Sequence, residues 1–554
     1  MAHWQQPLYK HLHPVIAVIM SAVLLTGCGT PSPDGPSNSY GLDLAMPDGA
    51  TVNGAIIFYV DGLNAEIFQE MLVADELPAI NKYFVSRGLY APKAVGNTPS
   101  VTLANLTSFV TGLFPGHHGV TGINWFDRNR LIWRNYETIA QKNTLDGDYT
   151  APNIYEQFPD RTTVSVFFQP HRRSTKFIEN WTSAGPPFFF GWYEFVDRLT
   201  LYRLGVVAEI ARKRRSWPAI TVAYMLAPDF RAYAKGVKSP EYRNAIVHTD
   251  RQIGRVCGDL ADAGLLDELY LVLVSDHGLG EVTKHFALDD FLRGNLGMDI
   301  ADKHLWENTP FEKRLSYYEQ FPAVTYGSGD RYWAICLRKP ILDRSGQVSG
   351  HQPWTVRPTV ADIERYSTAK GTDTINLPAE LLRQEAVDAV AFSVGPDRVR
   401  LARANGEVEF RQTGGRGNNI SYHLIAGDDV LGWHGKVDAD LLKGQPTDPR
   451  QWLAETVDTE FPDLPAQIVA YFRARRAGDI AVFAKPGWDF RTYNRAGHGG
   501  LRPEEMHVPL VIAGPGIEPG EISTARTTDV MPTLLGLLGR SVPPNLDGTN
   551  LLSQ

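Results

Sequence analysis

Two short apolar runs that end in acidic residues restrict this chain's folding more than any other feature. Residues 269–274 lead into Ser275-Asp276-His277-Gly278, and residues 54–60 lead into Asp61-Gly62. Runs this short, apolar at every position and rich in β-branched residues, predict strands buried on both faces, hence a sheet covered by helices on both sides. Ligands of such sheets gather beyond the carboxyl ends of the strands, so Asp61, Asp276 and His277 are expected on one rim. Strand patterns at 163–168 and 219–226 alternate with helical patterns at 64–72, 78–86, 194–212 and 241–263. This alternation predicts an α/β fold with a doubly wound, mostly parallel sheet.

Beyond about residue 295 the style changes to short alternating stretches, at 332–337, 389–394, 399–402 and 408–412, separated by Gly, Pro and Asp. They predict an inserted α+β cap subdomain over 296–477 within a core spanning 53–295 and 478–554. The core is expected to resume at 479–483 and 508–513 and to close on a helix at 529–538. A chain of 554 residues, 43% hydrophobic and 21% charged, can bury cores of this size. A net charge of −8 gives no footprint for a nucleic-acid polymer. The first residues read as a processing segment: Lys10, an apolar run at 15–25, then Leu25-Thr26-Gly27-Cys28, which resembles a bacterial lipobox. The run is short for a membrane span, which needs roughly 20 residues. Residues 1–27 are thus expected as a lipoprotein signal peptide, Cys28 as the lipidated first residue, and 28–52 as a tether. Gly29, rather than an aspartate, resembles the sorting pattern of outer-membrane lipoproteins. A lipid-anchored protein of the bacterial envelope, facing the periplasm, is the expectation. Cys257 and Cys336 are expected as buried free thiols.

Two further metal-competent groups stand at comparable places: Asp229 in Ala227-Pro228-Asp229 and His498 in Gly497-His498-Gly499. Each alone is an ordinary turn or loop residue. Together on one rim, carboxylates and imidazoles suit a divalent ion, with Gly278 letting the backbone pass close to it. Asn97-Thr98-Pro99-Ser100-Val101-Thr102 leads into an apolar-periodic helix, placing Thr102 at its amino terminus, where open N–H groups favour an anion such as a phosphoryl group. A threonine hydroxyl becomes a competent nucleophile when a metal holds it. Asn105, three residues on, shares its helical face and is expected to donate its amide to a developing oxyanion. Thr102 alone would be read as a helix cap.

These blocks, VDG at Asp61, TPSVTLAN…TGLFPGHHG, APD at Asp229, SDHG at Asp276 and AGHGG at His498, resemble the alkaline phosphatase superfamily, and within it the type I phosphodiesterase and nucleotide pyrophosphatase branch. The resemblance implies two divalent ions, zinc or alternatively manganese. One site would be held by Asp61, Thr102, Asp276 and His277, the other by Asp229 and His498. It implies attack by Thr102, a phosphothreonine intermediate, and a small-molecule, nucleotide or lipid phosphoester substrate. No Cys- or Ser-x-Pro-x-Arg block is present, which argues against a sulfatase. One departure falls on the second site. The family has a histidine four residues after its aspartate, and this chain has Tyr233, a weaker ligand for a divalent metal. Either Tyr233 ligates as phenolate, or another residue such as His248 substitutes, or the second metal is weak or missing. Alternatives to a diesterase are a phosphomonoesterase, a phospho-group transferase, or a non-catalytic envelope binding protein that has lost the second metal. His117 and His118 are read as structural. The aromatic run Phe188-Phe189-Phe190-Gly191-Trp192-Tyr193 reads more readily as core than as lipid contact, and Arg212 to Arg215 as a solvated helix end.

Overall fold

A computed structural model of the chain describes residues 39–44, 53–138, 140–179, 181–367, 374–413 and 419–553. The signal segment, Cys28 and most of the tether lie outside the described residues. In chain order the elements that build the core are β1 (Ala55–Val60), α1 (Ala65–Val73), β2 (Gly88–Val95), α2 (Thr102–Thr111), β3 (Thr163–Val166), β4 (Lys176–Ile178), α3 (Tyr193–Arg214), β5 (Ile220–Met225), α4 (Ala227–Lys235), α5 (Pro240–Asp262) and β6 (Tyr270–Val274). A second sheet follows, from β7 (Ala323–Ser328), β8 (Tyr332–Leu337), β9 (Val387–Gly395), β10 (Arg398–Arg403), β11 (Gly406–Gln412), β12 (Ile420–Gly427) and β13 (Ile480–Ala484). The chain then returns to the core with β14 (His507–Ala513), β15 (Gly520–Glu521) and α6 (Val530–Leu537).

Among the described residues the core sheet has the order β15-β2-β14-β6-β1-β5-β3-β4. From β6 to β4 all neighbours run parallel, while β14 is antiparallel to both β6 and β2. All six residues of β1 are buried, which accounts for its uninterrupted apolar run. Its side chains alternate between faces with the strand's period of two. Ile56, Phe58 and Val60 pack with Phe68, Leu204 and Ile253 of α1, α3 and α5, and Ala55, Ile57 and Tyr59 pack with Phe109 and Leu534 of α2 and α6. Each fully buried Val, Leu, Ile or Phe is worth roughly 1.5–3 kcal/mol, so β1 helps hold both helical layers against the sheet. This is the doubly wound arrangement expected of the sequence.

The second sheet is antiparallel throughout, in the order β7-β8-β13-β9-β10-β11-β12. It corrects one boundary. Residues 479–483 were expected to rejoin the core, yet β13 pairs between β8 and β9. Its five buried residues, IAVFA, satisfy any interior strand, and nothing in the run states which sheet it enters. The segment after α2 packs on the second sheet: Val120 and Trp125 lie in one cluster with Ala334, Ala391 and Phe410. Cys257 and Cys336 are buried and free, as expected. No helix among the described residues is long and apolar enough to cross a membrane.

Candidate active site

The expected rim assembles. Asp61 follows β1, Asp276 and His277 follow β6, and Asp229 lies in the first turn of α4 just beyond β5. Neighbouring parallel strands thus deliver three carboxylates to one edge. Asp61, Asp276 and His277 present ligand atoms within 4.8 Å of one another, and so do Asp229, His277 and His498. His277 therefore belongs to both groups, where the sequence reading gave it to one. Its ring stacks on that of His498 with centroids 3.6 Å apart. Thr102 is the first helical residue of α2, and its hydroxyl lies 3.1 Å from His277 Nε2. The capping position is held by Val101, and no side chain caps the helix, so the first-turn N–H groups stay open beside the Thr102 hydroxyl.

Both imidazoles are oriented from behind. His277 Nδ1 lies 3.0 Å from the Gly278 carbonyl and His498 Nδ1 lies 2.7 Å from the Ser100 carbonyl. A carbonyl only accepts, so each Nδ1 carries the proton and each Nε2 lone pair points into the site. Burial keeps both rings neutral, bringing the His277 pKa down to about 3 and that of His498 well below its ordinary value. The carboxylates are under the opposite stress. Burial first, then the charge of Asp276, pushes the Asp61 carboxyl far up, and burial with Asp276 does the same to Asp229. Asp61 Oδ1, Asp229 Oδ1 and Asp276 Oδ2 are buried with no hydrogen-bond partner. Three buried carboxylates with orphaned oxygens, interleaved with two imidazole lone pairs, require compensating positive charge at their centre. Divalent cations fit that donor set.

The surrounding contacts place these groups. Asp61 Oδ2 accepts a hydrogen bond from the Tyr224 hydroxyl, and Asp276 Oδ1 accepts from Gly62 N at 3.2 Å. Gly62 is required here: its φ is +70°, and a Cβ would sit 2.8 Å from Asp229 Cα. Gly278 serves by close approach, since a Cβ there would lie 2.3 Å from the Glu504 carbonyl oxygen. The two histidine loops are joined by a buried ion pair, Arg331 Nη1 to Glu505 Oε1 at 2.6 Å. Glu505 also accepts from Gly278 N through its carbonyl and from Gly500 N through its carboxylate, and Arg331 N donates to the His498 carbonyl. Sequence reading missed this pair, because neither residue stands at a strand end or in a ligand-like motif.

Asn105 requires a correction. Its amide nitrogen donates to the carbonyls of Asn97, Pro99 and Val101, and its oxygen accepts from Asn97 N and Nδ2. The side chain is fully buried and committed to the loop before α2, so it positions Thr102 rather than contacting an oxyanion. His248 is not brought to the site: it lies on α5 beside Glu194, outside both ligand groups. Tyr233 is at the site, one turn after Asp229, with its ring edge-on to His498 and centroids 5.6 Å apart. Burial, then Asp330, pushes its hydroxyl far above the ordinary range. Asp330 is itself new. It lies in the β7–β8 turn, bridges by backbone to His498, pairs with Arg491 Nε at 2.8 Å and accepts from Asn494. The second sheet therefore reaches the second ligand group, which no local pattern in the sequence signals. His117 and His118 are structural, bound to Asp547 at 2.7 Å and Ser108 at 3.0 Å.

Comparison with known proteins identifies relatives of this chain. Residues 55–328 match the family model described as type I phosphodiesterase / nucleotide pyrophosphatase. Mouse (Mus musculus) ectonucleotide pyrophosphatase/phosphodiesterase family member 1 is 26% identical over 240 residues, 43% of this chain and 25% of that protein. An alkaline phosphatase, PhoV, of Synechococcus elongatus is 29% identical over 77 residues, 14% of each chain. The chain spans about a quarter of the length of the mammalian relatives it matches. Among solved structures, human ectonucleotide pyrophosphatase/phosphodiesterase 5 superposes with a TM-score of 0.53 at 14% identity, over 90% of this chain and 99% of that one. The murine protein 5, in an inactive threonine-to-alanine form with AMP bound, superposes with a TM-score of 0.54 at 13% identity, over 90% of this chain and 99% of that one. These likenesses establish the alkaline phosphatase-like fold.

Proposed function

We propose that this chain, which belongs to the type I phosphodiesterase/nucleotide pyrophosphatase family through residues 55–328, is a metal-dependent hydrolase of phosphodiester or pyrophosphate-type bonds that works through Thr102. The observation that carries the reading is the Thr102 hydroxyl at the uncapped start of α2, 3.1 Å from an imidazole shared by two carboxylate-histidine groups. Asp61, Thr102, Asp276 and His277 would hold one ion, and Asp229 and His498 the other, with zinc favoured by the N and O donors and manganese the alternative. Bound there, two such ions lower the pKa of the nucleophile and of water and offset the charge that spreads over the phosphoryl oxygens.

The chain's own residues do the rest. Thr102 Oγ1 attacks phosphorus in line, the bond to the leaving oxygen breaks, and a phosphothreonine forms. The open N–H groups of α2 receive the phosphoryl oxygens next to it. Water then attacks the phosphothreonine and Thr102 departs with a proton, so two displacements retain configuration at phosphorus. Support for threonine comes from the murine protein 5, whose threonine-to-alanine form is described as inactive and binds AMP. Nucleotide, small-molecule and lipid phosphoesters share the required bond. The location proposed is the bacterial envelope, with Cys28 lipidated and the body held at the outer membrane.

Tyr233, where an imidazole would be the stronger ligand, favours one alternative, a protein that keeps the Thr102 half, lacks the second ion and binds phosphoesters without turning them over. Aryl phosphate diesters, monoesters and phosphonates, assayed with and without acceptor alcohols, test the reaction type. Thr102→Ala is expected to lower kcat on the diester by about a thousandfold or more while leaving metal content largely intact, since Asp61, Asp276 and His277 remain. Comparable turnover in that variant would sink the assignment. Fewer than two metal equivalents together with no turnover of any ester would favour the binding reading.

A further inference from the structure

The excursion between β4 and β5 carries aromatic residues that the site does not use. Sequence reading weighted Phe188 to Tyr193 towards core, and part of the run is core: Phe188 and Tyr193 pack on Phe230 with ring centroids 5.0 and 4.7 Å away. Trp192, however, is 50% exposed, Phe189 45%, and Tyr202 on α3 66%. Along α3 the half-buried Phe195 and Leu199 and the exposed Arg198 and Tyr202 recur at helical spacing, so they form one outward stripe away from the core face of Val196, Leu204, Val207 and Ile210. A helix apolar on its core side and aromatic on its outer side has a second face to cover.

Charge and chain path say what covers it. Residues 176–215 hold seven Lys or Arg against four Asp or Glu in a chain whose net charge is −8. Arg212, Lys213, Arg214 and Arg215 are all exposed at the end of α3. Glu209 pairs with Arg212 at 2.7 Å and with Lys213 at 3.6 Å. The described chain starts beside this same stripe: Tyr40 lies next to Tyr202 and Arg203, and Leu42 and Leu44 are buried in the cluster that contains Leu201 and Leu204. From Cys28 to Tyr40 the chain can span at most about 40 Å, whereas a body of this size is about 60 Å across. An acyl group on Cys28 would therefore hold the α3 side, and not the opposite side, against the membrane.

We propose that the outer stripe of α3, with Trp192 and Tyr202 as interfacial anchors and the Arg212 to Arg215 end as its cationic contact, docks on an anionic phospholipid bilayer. Aromatic rings that are apolar with a polar edge suit the headgroup level, and clustered cations suit an anionic leaflet. The amino end of α3 packs on Phe230, the neighbour of Asp229, so docking would hold the active-site rim beside the lipid surface. The placement rests on lipidation of Cys28, as proposed above. The test uses the mature chain from residue 28 with Cys28→Ser, which carries no acyl group, and vesicles of phosphatidylethanolamine and phosphatidylglycerol against vesicles of phosphatidylcholine. Sedimentation should show binding to the anionic vesicles, weakened by salt. Trp192→Ser with Tyr202→Ser should weaken it by about tenfold or more, and Arg214→Gln by about fivefold, with hydrolysis of a soluble aryl diester unchanged in both. No binding to anionic vesicles by the parent chain, or equal binding by the Trp192/Tyr202 variant, overturns the proposal. Soluble-diester turnover reads the catalytic assignment independently, and the mass of the amino-terminal peptide from the native protein reads the acylation.

Discussion

Tyr233 stands one helical turn after Asp229, and its ring lies T-shaped to that of His498, at 5.6 Å between centroids. A helix places residues four apart on one face, so an imidazole at this position would offer its lone pair to the same centre as Asp229 and His498. The phenol is a weaker donor to a divalent ion than an imidazole, and burial and the neighbouring Asp330 raise its pKa further. Compensation for the Asp229 charge therefore rests on fewer strong donors than on the Asp61 side. Tyr233→His should raise metal affinity at the second site by about 10–100-fold, the range that one ligand or its support commands in such centres. Isothermal titration of chelator-treated protein with zinc measures it: the parent is expected to show one tight and one weak event, the variant two tight ones. If both proteins gave the same two affinities, Tyr233 would already be an adequate ligand and the second site would be complete.

Helix α4 is where the second ligand group is positioned, and its amino end is held by a residue of α3. Asp197, fully buried, accepts from Leu226 N at 2.8 Å and Ala227 N at 3.0 Å, taking up N–H groups that start the helix carrying Asp229 and Tyr233. Burial outweighs those two bonds and raises its pKa from the ordinary 3.8 to about 7. Between those values the unfolded chain has released the proton and the folded one retains it. The native state then binds more protons, so stability falls as pH rises from about 4 to about 7 and levels off above, by up to about 4 kcal/mol from this group. Asp197→Asn removes the titration and one acceptor. It should be less stable than the parent by about 1 kcal/mol near pH 4, with the gap closing or reversing towards neutral pH. Thermal melts of both proteins across that interval measure the difference, and parallel curves would show that Asp197 is ionised throughout. The same elements show what sequence can and cannot disclose. β1 and β6 are legible because a strand buried on both faces must be apolar at every position, and Asp61, Asp276 and His277 follow from where such strands end. β2 is not, since Gly88, Pro92 and Lys93 break its pattern. The direction of β14 and the sheet that β13 enters are not either, because side-chain periodicity is the same in both directions and in both sheets. Asp330, delivered by the turn of a distant hairpin, and Asn105, whose hydrogen bonds depend on the loop closing over it, are set by tertiary structure alone.

The molecule as a whole is joined in a way the family match does not suggest. Residues 55–328 contain β1, β5, β6, Thr102 and the candidate ligands Asp61, Asp229, Asp276 and His277, which would pass for a complete domain. They lack β14, however, which lies between β2 and β6 and whose seven residues are all buried. Val508, Leu510, Val511 and Ile512 alone account for roughly 6–12 kcal/mol of apolar burial, which is comparable with the entire stability of a typical domain. Without β14 the facing edges of β2 and β6 are also left with unpaired backbone groups along the interior of a sheet. The shared cluster of Val120 and Trp125 with Ala334, Ala391 and Phe410 adds a second dependence, on strands that begin beyond residue 328. The fragment 55–328 is therefore expected to remain unfolded or aggregate, with no cooperative thermal transition, rapid proteolysis and no zinc retained after gel filtration. The full chain should unfold in one transition, with both sheets lost together, and chelation should lower its midpoint because ions at the proposed rim sites would bind only the folded chain. A fragment that melts cooperatively and keeps zinc at Asp61, Asp276 and His277 would show that the catalytic half is an autonomous unit. In that case the second sheet and β14 would have to be regarded as additions to a fold that stands without them.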